Sequence, residues 1–175
     1  METISLSGIV ARRTSSWDGE SKAGYGEAVS LTLEQALTAD LMLLAGAGTL
    51  ALVAPAGAAF ADLEAAIERL DAERVSLVEL VFDAFTDGRG FTNAVRLRRD
   101  AGFAGELRGS GPLVPDQALY LARSGFDTLA VSREGRKQAF LDALARYKVF
   151  YQTAADREVP VPHQRGDETP QRIAS

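Results

Sequence analysis

Apolar residues along this chain switch repeatedly between a helical and a strand-like spacing. Phe60, Leu63, Ile67 and Leu70 recur every three or four residues, which places them on one helix face. The run Leu77-Val78-Glu79-Leu80-Val81-Phe82 is short, nearly continuous and rich in β-branched residues, and it predicts a buried strand. Phe91, Ala94, Val95 and Arg98 mark a second helix that should stop at Gly102. A short strand at residues 106–108 comes next, then a helix over 115–124 that should stop at Gly125. Residues 128–131 read as another strand. Phe140, Leu144, Tyr147 and Tyr151 form the apolar stripe of a last helix, with Ser132 as its N-cap.

Upstream, residues 41–61 carry no charge and are long enough, at about 20 residues, to span a bilayer. Gly46, Gly48, Pro55 and Gly57 interrupt them, and Asp40 and Asp62 flank them instead of lysine or arginine. The better reading is a glycine turn at 46–48 and a buried strand at 50–54. Residues 31–44 fit a helix with Thr32 and Gln35 as a capping box. The loosely alternating Ile4, Leu6 and Ile9 suggest a strand or hairpin arm, and the Ser- and Gly-rich stretch 14–27 reads as a loop. After Gln152 the chain turns polar and proline-bearing and is expected to be disordered. The expected organisation is an N-terminal extension over 1–49, a core over 50–151 and a tail over 152–175.

Both middle helices end in Gly-Phe, at Gly102-Phe103 and Gly125-Phe126, 23 residues apart. Glycine takes the left-handed C-cap conformation at little cost, and the apolar residue after it folds back on the last turn. The spacing suits one strand–helix unit. The core is therefore α/β, with about four successive βα units and parallel strands. Half of a TIM barrel and an open doubly wound sheet both satisfy the pattern.

Composition narrows the chemistry. The chain is 46% hydrophobic with a net charge of −5, so it has material for a core and lacks the basic surface of a nonspecific nucleic-acid binder. Without cysteine it has no thiolate nucleophile and no cysteine-ligated metal or cluster. The single histidine, His163, lies in the polar tail. Gly46-x-Gly48 and Gly109-x-Gly111 are incomplete as dinucleotide fingerprints, and no P-loop is present. We expect no cofactor, no metal site, no leader or membrane segment, and a cytoplasmic location.

One stretch concentrates charge against that background. Arg89, Arg96, Arg98, Arg99 and Arg108 face only Asp100 and Glu106 in the same window, a local net of +3. Ligands of parallel α/β folds bind beyond the carboxyl ends of the strands, where the loop 83–90, Arg108 and the pair Asp116-Gln117 should converge. Asp87, Gly88, Arg89, Gly90, Arg108, Asp116 and Gln117 are the candidate anion-binding or docking residues. Arg89 and Arg108 would offer bidentate forks, and glycines 88, 90, 109 and 111 would let backbone N–H groups approach an oxyanion. Arg108 is expected to leave its strand end toward Asp87. Asp83, Asp87 and Asp116 are a weaker carboxylate set, more readily explained by caps and ion pairs.

Phe85-Thr86-Asp87-Gly88-Arg89-Gly90-Phe91, then Ala94 and Leu97-Arg98, then Gly102-Phe103-x-Gly105-Glu106-Leu107-Arg108, then Asp116-Gln117 and Gly125-Phe126-Asp127 form one ordered pattern. It resembles the bacterial family catalogued as domain of unknown function 934, most specifically over residues 77–130. Members are often labelled as oxidoreductases involved in sulfite reduction, largely because their genes accompany those of assimilatory sulfite reductase. The resemblance implies a place in sulfur assimilation and cysteine biosynthesis, with sulfite reductase or its electron donor as partner. Ser124 stands where cysteine is frequent in that pattern, so the oxidoreductase label has no thiol behind it here. An accessory protein that docks or binds an anion is the leading expectation. A small-oxyanion- or phosphate-binding enzyme or sensor using the arginine-rich rim is the alternative, and a half-barrel that pairs with itself is a third.

Overall fold

A computed structural model describes residues 2–7, 11–131, 136–146, 152, 154 and 155. Seven strands form one sheet: β1 (Glu2–Ser5), β2 (Ser15–Ser16), β3 (Ala28–Thr32), β4 (Thr49–Pro55), β5 (Val75–Val81), β6 (Glu106–Gly111) and β7 (Thr128–Val131). Their spatial order is β1-β7-β6-β5-β4-β3-β2. From β2 to β7 every neighbouring pair is parallel and consecutive in sequence, and only β1 runs antiparallel, against β7. The sheet never reverses its winding, as a doubly wound sheet must. It curls into a half-barrel.

Helices α1 (Leu33–Thr38), α2 (Phe60–Arg69), α3 (Arg89–Arg99), α4 (Ala118–Arg123) and α5 (Lys137–Ala145) alternate with the strands, with 3-10 turns at Leu41–Leu44 and Pro115–Gln117. The helical face of the sheet carries Val29 and Leu31, Leu50 and Leu52, Val78 and Leu80, Leu107 and Leu129, all buried against Phe60, Leu63, Phe91, Leu97 and Phe140. Alternation turns the other strand residues to the opposite, inner face. Gly102 and Gly125 both adopt positive φ, at 63° and 100°, and Phe103 and Phe126 are buried behind them. The N–H of Phe103 donates to the Leu97 carbonyl and that of Phe126 to Leu121, as a left-handed C-cap requires.

Several expectations shift. The anticipated helix over 31–44 is shorter: Thr32 and Gln35 do form the capping box, but the chain before Leu33 is strand β3 and the end is a separate 3-10 turn. The uncharged stretch 41–61 resolves into that turn, β4 and the start of α2. Among the described residues no helix is long and apolar enough to cross a membrane. Residues up to 49 contribute three strands to the common sheet, and Trp17, in the stretch read as loop, is buried with its indole N–H on the Ser21 carbonyl. β6 runs three residues further than anticipated, because Gly109 and Ser110 stay in register between β5 and β7 and Gly111 stays paired with β7. Ile9, Ser132, Tyr147, Tyr151, His163 and the tail beyond 155 lie outside the described residues.

Candidate functional site

The loop after β5 is stapled on two sides. Asp87 bonds Arg89 through both carboxylate oxygens, Nε to Oδ1 at 3.0 Å and Nη2 to Oδ2 at 2.8 Å, and accepts the Arg89 backbone N–H at 3.1 Å. Arg89 Nη1 also reaches the Gly57 carbonyl at 3.4 Å. These donors hold the Asp87 carboxyl down from 3.8 to about 2 and raise the Arg89 guanidinium above its ordinary value. On the other side, Gln117 Nε2 donates to the Phe85 carbonyl at 2.6 Å, while its Oε1 accepts the Val114 N–H. Asp116 is exposed and makes no hydrogen bond or ion pair among the described residues. Asp87, Gly88, Arg89, Gly90, Asp116 and Gln117 therefore share the C-terminal rim.

Arg108 is not at that rim, and its anticipated pairing with Asp87 is wrong. It is the third residue of β6, so its side chain projects from the inner face of the sheet instead of from a strand end. Its Nη2 and Nε bond Glu106 Oε1 at 2.8 and 3.2 Å, and Nη1 lies 3.5 Å from Glu79 on the adjacent strand. Thr128 Oγ1 adds a 2.6 Å bond to the same Glu106 oxygen. The backbone of Arg12 closes the network: its N–H donates to Glu106 Oε2 at 2.8 Å and its carbonyl accepts from Arg108 at 2.6 Å. Glu106 is 3% exposed and Arg108 9%. This is a buried, hydrogen-bonded charge cluster that ties the N-terminal segment across the inner face.

Arg98 and Arg96 are also engaged, whereas the exposed Arg99 side chain makes no hydrogen bond or ion pair among the described residues. Arg98 binds the Gly125, Phe103 and Gly105 carbonyls and pairs with Asp127, which itself accepts the Leu107 N–H. Arg96 pairs with Asp100 and stacks 3.7 Å over the Phe60 ring. Packing accounts for two of the candidate glycines, while Gly88 has open space where a Cβ would go. A Cβ on Gly90 would sit 2.5 Å from the Phe82 ring, and one on Gly111 would sit 2.2 Å from the Phe82 carbonyl oxygen. Among the described residues no group of three or more His, Asp or Glu side chains is placed to hold a metal ion.

Four further residues were not among the candidate site residues. Asn93 is buried and donates to both the Ala56 and Ala58 carbonyls at 2.9 Å, fixing the β4–α2 loop to α3. A poor helix former inside α3 was its only signal. Glu79 was visible as a carboxylate within an apolar strand, which demands a partner. Phe85 and Tyr120 are 54% and 61% exposed at the rim, and Tyr120 packs its ring 4.5 Å from buried Phe91.

Fold and site together define a parallel α/β half-barrel with an aromatic, stapled C-terminal rim. A family model described as bacterial protein of unknown function (DUF934) matches residues 51–162, and the chain belongs to that family. No curated protein and no solved structure matches the chain.

Proposed function

We propose that the protein is an accessory component of assimilatory sulfite reduction that docks onto sulfite reductase or its electron donor through the C-terminal rim of the half-barrel. The observation that carries the docking role is the exposure of Phe85 and Tyr120 beside a loop pinned by Gln117 and the Asp87–Arg89 pair. Large aromatics on a rigid support lose little entropy on binding and supply most of the energy of a typical interface. The pathway rests on the family, through the sulfite-reduction label its members carry. The reading puts the protein in the cytoplasm beside the reductase. Docking fits better than oxyanion capture, because the forks of Arg89, Arg98 and Arg108 are already filled by carboxylates and carbonyls.

Growth of a deletion strain tests the pathway. We expect poor growth on sulfate or sulfite and full growth on sulfide, with rescue by the wild-type gene and not by a Phe85→Ser/Tyr120→Ser version. Normal growth of the deletion strain on sulfite would refute the assignment.

A further inference from the structure

A second feature of the same edge lies on its β3–β5 side. A cavity of about 650 Å³ opens where the ends of β4 and β5 meet α1. Its walls include Leu37, Val53, Pro55 and Val81, and two carboxylates, Glu34 and Asp83, stand at it exposed to solvent. The volume falls within the usual range for small-molecule sites, about 300–1,000 Å³. Its position at the carboxyl ends of parallel strands is where this class of fold presents ligands.

The charge at the cavity selects among ligands. Glu34 and Asp83 make no ion pair or side-chain hydrogen bond among the described residues. Arg89 feels Asp83 only through space, since its own fork is bound to Asp87. Two carboxylates with no bonded counter-charge beside low-dielectric walls attract a cation and repel an anion. The apolar walls require that the cation carry a hydrophobic body.

We infer that this cavity is a binding site for a small organic cation, an amine with an apolar or aromatic body. The amine sits between Glu34 and Asp83, and the body lies against Leu37, Val53, Pro55 and Val81.

Tryptamine and indole-3-propionate share an indole body and carry opposite charges at pH 7, so their affinities separate shape from charge. Titration calorimetry on the full chain at low salt should give at least tenfold tighter binding of tryptamine. The preference should vanish in Glu34→Gln/Asp83→Asn, whose exposed positions leave the fold intact. Leu37→Trp should fill the cavity and weaken tryptamine at least tenfold. Thr38→Trp, at an exposed lining position, serves the same purpose if the Leu37 variant does not fold by circular dichroism. Failure of wild type to bind either probe, equal affinity for both, or undiminished binding in a folded, cavity-filled variant would overturn the inference. The readout is independent of sulfite reductase, so it stands or falls apart from the docking proposal.

Discussion

An arginine at the start of a helix and an arginine in a strand look alike in sequence, and their forks decide what each can do. Arg89 spends its fork on Asp87 and Arg108 spends its own on Glu106. The first pair is solvent-facing, and its signature is a titration. Carboxyl NMR should find Asp87 near 2 in the wild type and near about 3.9 in Arg89→Ala. Because folding lowers this pKa, the pair stabilises the fold above about pH 4 and that contribution fades as pH falls toward 2. The second pair is buried. Glu106→Ala strands the Arg108 charge and frees the Arg12 N–H, so urea unfolding should show a loss of about 3–5 kcal/mol. Asp116→Ala, at an exposed site, should stay within about 0.5 kcal/mol of wild type. A loss below about 1 kcal/mol for Glu106→Ala would remove the network from the list of what holds the N-terminal segment. Sequence could show that Glu79 and Glu106 needed partners. It could not show that Arg108 would serve both, because the β5–β6 register that sets Glu79 beside Arg108 is a property of the sheet.

At the scale of elements, local chemistry was readable wherever it acts within one turn. The Thr32–Gln35 box and the Gly102 and Gly125 caps are short-range devices, and all three stand in the structure. Gly102 has open space where a Cβ would go, so Gly102→Ala should cost about 1–2 kcal/mol through its positive φ alone, read as a shift in the urea midpoint. An unchanged midpoint would contradict the cap. What escaped notice depended on partners distant in sequence. β3 hides within Ala-Val-Ser-Leu-Thr, where Ser and Thr weaken the apolar signal, and it becomes a strand only because β4 lies beside it. The end of β6 reads as a loop because of its glycines, yet those glycines make room for Phe82 and for Leu129. Steric need explains Gly109, and steric need together with a positive φ of 110° explains Gly111.

For the whole molecule, repeated strand–helix units predicted parallel strands, but half-barrel and doubly wound sheet differ only in where each crossover lands. Consecutive strand order settles it in favour of the half-barrel, and the first forty-nine residues extend that sheet on both edges. One rim then gathers the loops that a partner would meet, and the aromatics on it are exposed despite being built on rigid supports. The most direct measurement is biolayer interferometry of immobilised protein against purified sulfite reductase and its electron donor at low salt. The account predicts saturable binding to one of them by the wild type, and at least a tenfold loss for the folded Phe85→Ser/Tyr120→Ser variant. No binding to either protein, or equal binding by the wild type and the rim variant, would contradict it.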